Sequence, residues 1–185
     1  MSAVPGDLDS DFSSTLARAK AGDDVAWRYL FRFVSGRVVA FLVSRGVRDS
    51  EDVAGEVFAD IVRSIRRFKG DRHAFVSWTL TIAHRRMVDS VRASVRRPET
   101  ASPASQLDRP DPVNVEEAAL GLIGADWARR MLDLLTNDQA DVLALRIYGD
   151  LSLPEVAQTL GKPLTAVTSL QHRGLEALRR MLQAD

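Results

Sequence analysis

The chain has 185 residues, 45% of them hydrophobic, with 25 basic and 25 acidic side chains and no cysteine. That length predicts one or two small domains with proper cores, and the missing cysteine excludes a disulfide scaffold, a thiolate metal site and a Cys nucleophile. The N-terminal MSAVPGDLDSDF is acidic without an apolar core, and no apolar run approaches the ~18 residues of a membrane span, so a cytoplasmic protein without a secretory signal or membrane insertion is expected.

The net charge of zero hides an asymmetry. Residues 1–12 carry −3, residues 13–97 carry 17 basic and 9 acidic groups, residues 98–125 carry −4, and residues 126–185 carry −1. A strongly basic first domain beside acidic segments points to a polyanionic partner for that domain.

In chain order, residues 1–12 read as a disordered acidic tail. A short helix over 13–21 stops at Gly22. Asp23 can cap a helix over 24–44, where Trp27, Leu30, Phe31, Val34, Val38, Phe41 and Leu42 fall at helical spacing. Gly36 is a place where it could bend. Asp49 or Ser50 caps the next helix, in which Val53, Val57, Ile61 and Ile65 recur every four residues. Its acids lie first and Arg63, Arg66, Arg67 and Lys69 last, an order that suits the helix dipole. The dipole does not account for the density of Asp49, Glu51, Asp52 and Glu56, which marks a partner-binding face.

Residues 69–73 read as a polar loop, followed by a helix over 74–95. Val76, Leu80, Ala83, Met87 and Val91 form its apolar stripe. Trp78, Arg85, Arg92 and Arg96 form a second stripe, a basic surface with an aromatic at its start, which suits backbone contacts and base stacking. Trp78 can equally be a core plug, and both readings stand. Residues 98–114 hold four of the seven prolines and no apolar periodicity, which makes them a flexible linker.

The second domain spans 115–185, with helices expected over 115–122 and 126–135. Thr136-Asn137-Asp138-Gln139 and Ser152-Leu153-Pro154-Glu155 are two capping boxes, each opening a helix. The first box starts a helix to about Tyr148 with Val142, Leu145 and Ile147 inward. Gly161-Lys162-Pro163 makes the turn to a last helix over 164–182, with Val167, Leu170, Gly174 and Leu178 inward. This is the layout of a helix-turn-helix, whose outward face is Thr165, Thr168, Ser169, His172 and Arg173. The fold class is therefore all-α: two small helical domains joined by a proline-rich linker.

Taken together, AGDDVAWRYLFRF, DSEDVAGEVFADIVRSIRRF, FVSWTLTIAHRRMVDSVR and LLTNDQADVLALRIYGDLSLPEVAQTLGKPLTAVTSLQHRGLEAL resemble, in this order, the bacterial RNA polymerase sigma factors of the extracytoplasmic-function group. The resemblance runs from Ser13 to Leu182. It implies a region 2 domain over 13–97 and a region 4 domain over 115–185. The clamp helices of the polymerase largest subunit would be bound by Asp49, Glu51, Asp52, Glu56 and Phe58. The minus-ten promoter element would be engaged by Lys69, Arg72, His73, Trp78, Arg85 and Arg92. The minus-thirty-five element would be read by Thr165, Thr168, Ser169, His172 and Arg173, with this domain docked on the flap of the second-largest subunit. Catalysis would belong to the polymerase, no cofactor or metal is called for, and an anti-sigma protein is an expected partner.

The chain departs from the family pattern in places. Gly55 stands where Gln is usual, Thr168 where Lys is common, and Leu170-Gln171 where Arg-Leu is common. Two charges are thereby absent from the last helix, so the first domain is expected to supply more of the promoter affinity than usual. The competing readings are a stand-alone helix-turn-helix regulator, a nucleic-acid hydrolase and a helical adaptor. The first does not need the acidic cluster. The second would use Asp49, Asp52 and Glu56 as magnesium ligands, but His73, His84 and His172 have no zinc-protease spacing or evident triad partner. The third leaves the basic stripe unexplained.

Overall fold

The computed structural model describes residues 5–96 and 128–183, and among them all regular structure is helical. The elements are α1 (Pro5–Lys20), α2 (Asp24–Ser44), α3 (Ser50–Ser64) running into a 3-10 turn (Ile65–Arg67), and α4 (Arg72–Arg96). They continue with α5 (residues 128–132), α6 (Asn137–Gly149), α7 (Leu153–Leu160) and α8 (Leu164–Leu182). The expected linker and the helix over 115–122 lie outside the described residues.

The first half is built around α2. Asp23 caps it, Oδ1 accepting from the Val25 and Ala26 N–H groups at 2.8 and 3.1 Å. Leu30, Val34, Val38, Phe41 and Leu42 line its buried face, and the helix continues unbroken through Gly36. It packs against α1, α3 and α4. The tail expected to be disordered is helical from Pro5 onward. The reason is an apolar stripe at Phe12, Leu16 and Ala19, spaced four and three, that the acids around it obscure. Phe12 is 1% exposed, its ring 5.6 Å from that of Phe75 and 6.3 Å from that of Phe33.

Three smaller expectations change. Asp49 stands at the cap of α3, but its side chain makes no capping bond; its backbone carbonyl accepts from Val53 N–H instead. The loop ends earlier than expected: the Asp71 carboxylate accepts from Ala74 N–H at 2.7 Å and starts α4 at Arg72, so Arg72 and His73 sit on its first turn. Val91 (52% exposed) faces solvent because α4 has by then run past the neighbours that bury its earlier turns, and Ile147 (60%) lies on the outer side of α6, between Leu145 and Gly149, which face inward.

The second half follows its caps. Thr136 and Gln139 form one reciprocal capping box and Ser152 and Glu155 the other. Gly161, at φ +62, makes the left-handed turn between α7 and α8, a conformation that costs other residues a Cβ clash. Val156, Ala157 and Val167 are buried where these helices meet.

The halves share one continuous core, with α2 and α4 packed on α6 and α4 on α7. At the seam Gly149 lies so close to α4 that a Cβ there would meet Leu80 Cδ1 at 2.5 Å and Leu151 Cγ at 2.8 Å.

Candidate functional site

Three faces carry the residues that the sequence singles out. The first is formed by α2 and α3. Asp49, Glu51 and Asp52 are exposed in a row at the start of α3. Glu56 is exposed too (61%), but Arg86 of α4 reaches it at 3.1 Å and reaches Asp60 at 2.5 Å. Asp60 also pairs with Arg63. The Arg86 hydrogen bond, aided by Arg63, holds the Asp60 carboxyl down at about 2. The ion pairs therefore brace α3 to α4, and Glu56 is part of that brace as well as of the acidic row. Phe58 is half-buried, its ring 4.4 Å from that of Phe31. Beside it runs a shallow apolar groove lined by Trp27, Phe31, Phe58 and Val62. Val25, Tyr29 and Val62 add exposed apolar surface to the same two helices. An acidic row bordering an apolar patch is the make-up of a protein-docking surface.

The second face belongs to α4 and the turn before it. Trp78 is half-buried, stacked 4.9 Å from Phe68 and 5.8 Å from Phe75. One edge is core, and the other lines an open cleft of about 600 Å³ together with Arg67, Phe68, Lys69 and Ser77. Trp78 is thus packed partly on the core and borders the cleft with the rest of its ring. Lys69, Arg85 and Arg92 are exposed, and Arg92 lies 3.9 Å from Asp89. Arg72 is turned inward over the Phe33 ring at 4.3 Å, so it serves the packing of α1, α2 and α4 more than the surface. His73 lies 2.9 Å from Glu155 of the second half. Burial raises the Glu155 carboxyl, but its bonds from Ser152 and His73 outweigh this and hold it below the usual range.

The third face is the outer side of α8. Thr165, Thr168, Ser169, His172 and Arg173 are all exposed along it, as the helix-turn-helix spacing requires. Thr168 and Ser169 return their hydroxyl protons to the Leu164 and Thr165 carbonyls at 2.9 Å, and Arg173 bonds the Ser169 carbonyl at 3.3 Å. His172 lies 3.4 Å from Glu176.

One cluster had no signal in the sequence. Asp141 of α6 accepts from Arg45 of α2 at 2.7 Å and lies 3.1 Å from His84 of α4, with side-chain exposures of 13%, 8% and 16%. Burial raises the Asp141 carboxyl, but His84 and Arg45 more than compensate, and its net position is below the usual range. Arg45 also reaches the Asn137 carbonyl at 3.4 Å. These partners are 96 and 57 residues from Asp141 in the chain, beyond any local spacing rule. Among the described residues, no group of His, Asp and Glu is placed to hold a metal ion, and no helix is long and apolar enough to cross a membrane.

Residues 26–97 match the family model for Sigma-70 region 2, and residues 131–180 match that for Sigma-70 region 4. The chain is 31% identical over 193 aligned residues to the ECF RNA polymerase sigma factor SigK of Mycobacterium ulcerans, the alignment covering 100% of both chains. Among solved structures, its fold is similar to that of CnrH in complex with the cytosolic domain of CnrY (TM-score 0.65, 20% identity, 92% of this chain and 96% of that one). It is also similar to the sigma factor RpoE in complex with the anti-sigma factor NepR from Bartonella quintana (TM-score 0.59, 17% identity, 88% and 98%). At those identities the structural likeness is one of fold.

Proposed function

The chain belongs to the sigma-70 family of RNA polymerase sigma factors, in its extracytoplasmic-function group, and from that premise we propose how its three faces divide the work. It is an initiation factor that directs RNA polymerase to promoters. The α2–α3 face docks on the polymerase through Asp49, Glu51 and Asp52, with Phe58 supporting the apolar patch beside them. The α4 face engages the minus-ten element: Lys69, Arg85 and Arg92 meet phosphates, His73 adds a polar contact, and the open edge of Trp78 takes a base from the parted strands. The α8 face enters the major groove at the minus-thirty-five element, where Thr165, Thr168, Ser169, His172 and Arg173 reach base edges and backbone.

The chemistry of RNA synthesis belongs to the polymerase, and the protein acts in the cytoplasm, where promoters are. An anti-sigma protein as a further partner is an extension from the RpoE–NepR complex, whose sigma chain shares this fold. The observation that carries the docking assignment is the exposed acidic row beside exposed apolar surface on α2 and α3, which neither the core nor a DNA contact explains. A stand-alone DNA-binding regulator would have no use for it.

Gel filtration with purified core RNA polymerase tests this reading. Glu51→Ala/Asp52→Ala is the cleanest variant, since Glu56 is tied to Arg86 and its loss would disturb the brace as well. Wild-type protein should co-elute at one per polymerase, and the double variant should lose at least tenfold in affinity while remaining folded. Wild-type protein that is folded and does not co-elute overturns the reading.

A further inference from the structure

We infer that Lys20, the last residue of α1, is a positioning residue for the minus-ten cleft. Its ammonium group fixes the loop after the 3-10 turn and, through that loop, the place of Lys69 and of the Trp78 edge that takes a base. The inference rests on the reading of the α4 face given above.

The bond is specific and distant. Lys20 Nζ donates to the Phe68 carbonyl at 2.6 Å, across 48 residues of sequence, in a partly buried setting. The charge on the donor makes such a bond roughly twice as strong as a neutral one. Phe68 closes the 3-10 turn. Its N–H donates to the Ile65 carbonyl at 3.0 Å, and its extended backbone (φ −64, ψ 134) leads the chain into the loop. With the N–H and the carbonyl of Phe68 both held, the planar peptide that joins it to Lys69 has little freedom to turn. The Phe68 ring is 7% exposed and lies 4.9 Å from that of Trp78. Phe68, Lys69 and Trp78 all line the cleft.

The far end of the loop is fixed to α4. A Cβ on Gly70 would meet Ala74 Cβ at 2.7 Å and Phe68 Cζ at 3.0 Å, and the Asp71 carboxylate accepts from Ala74 N–H at 2.7 Å. Lys20 ties the near end to α1, so the loop is held between two helices.

Docking of α1 does not depend on this bond. Phe12, Leu16 and Ala19 are buried, and the Phe12 ring packs against those of Phe33 and Phe75. Apolar burial of that extent outweighs one hydrogen bond. What the ammonium group adds is therefore local to the loop. A binding constellation works only while its neighbours hold it to within about 0.5 Å, and the Phe68 carbonyl is where α1 supplies that hold.

The test uses the full chain bound to core polymerase. Its DNA is the fragment that this holoenzyme selects best from a randomised promoter pool, with one 2-aminopurine in the minus-ten element, whose fluorescence rises when the base leaves the stack. Lys20→Met keeps the side-chain length and removes the donor, and Lys20→Arg keeps a charged donor. Lys20→Met should bind core polymerase as the wild type does, yet need about tenfold more holoenzyme to produce the rise, within the range that base stacking supports. Lys20→Arg should recover most of that loss. Lys20→Met with an undiminished rise overturns the inference, and so does Lys20→Arg no better than Lys20→Met. Loss of polymerase binding together with the rise also overturns it, because the bond would then serve the fold at large. If Trp78→Ala keeps the full rise, or if folded wild-type protein does not bind polymerase, the functional reading falls and the inference falls with it.

Discussion

The two helices proposed to read DNA are opposites. The α4 face is rich in charge and aromatic surface, and it is partly covered: Trp78 is stacked on Phe68, Arg72 is turned over Phe33, and His73 is held by α7. The α8 face is open along its length, but its hydroxyls are bonded to its own carbonyls and it offers one arginine between Thr165 and Arg173. The helix richer in cations on its proposed face is the one that α7 partly covers.

The largest effect should come from the buried acid between the halves. Asp141→Ala leaves Arg45 and His84 buried without their shared acid. Removing one member of a buried pair costs about 3 kcal/mol or more, which in a chain of this size lowers the melting temperature by about 6–12 °C. Urea and thermal unfolding measure it, and a variant as stable as the wild type would mean that the seam contributes little. The next effect concerns α4 itself. Trp78→Ala removes the ring edge exposed in the cleft; base–aromatic stacking is worth about 1–3 kcal/mol, roughly 5- to 150-fold in promoter affinity. Binding to core polymerase should stay unchanged, since Trp78 is remote from the acidic row. A loss in both assays would show that the ring serves the core alone.

What could be read from the sequence was local. The two capping boxes, the α7–α8 turn and the stripes at Leu30–Leu42 and Val53–Ile65 all follow from spacing and residue type, and the structure holds them where spacing puts them. The outward face of α8 follows from the same rule. Two kinds of feature escaped. One is apolar spacing diluted by charge, as at Phe12, Leu16 and Ala19, where an acidic composition reads as disorder until three buried positions are seen together. The other is pairing across the chain. Arg45, His84 and Asp141 are unremarkable on their own helices, and Gly149 reads as a helix stop before it reads as a contact with Leu80. The site residues named from the sequence fall on three faces, and neither the contact of α7 with α4 nor the turn of Arg72 over Phe33 has a local signature.

Charge offers a finer measure of the same comparison. Each phosphate contact adds about 0.9 to the slope of log affinity against log salt on duplex DNA. Arg85→Ala/Arg92→Ala should lower the slope for promoter binding by up to about 2 units. Thr168→Lys, which places a cation on the open face of α8, should raise it by about 1. If Thr168→Lys leaves the slope unchanged, α8 does not lie against the backbone, and the minus-thirty-five assignment loses its support.

The smallest effect separates the two acids that tie helices together. Asp141 is enclosed between the halves, and Asp60 sits at the surface between α3 and α4. The Asp60 carboxyl is held at about 2 in the folded chain against an ordinary 3.8. A depressed carboxyl stabilises the fold at pH values above its unfolded value, and that stabilisation is lost as pH falls from about 4 towards 2. Because the Asp60–Arg86 pair is partly open to water, screening reduces its worth to about 1 kcal/mol. Asp60→Asn should therefore be less stable than the wild type by that amount at pH 7 and indistinguishable from it near pH 2. Denaturant titrations at the two pH values check it. An equal deficit at both would mean that the side chain acts through packing, and the bracing of α4 on α3 would then rest on the apolar residues beneath the ion pairs.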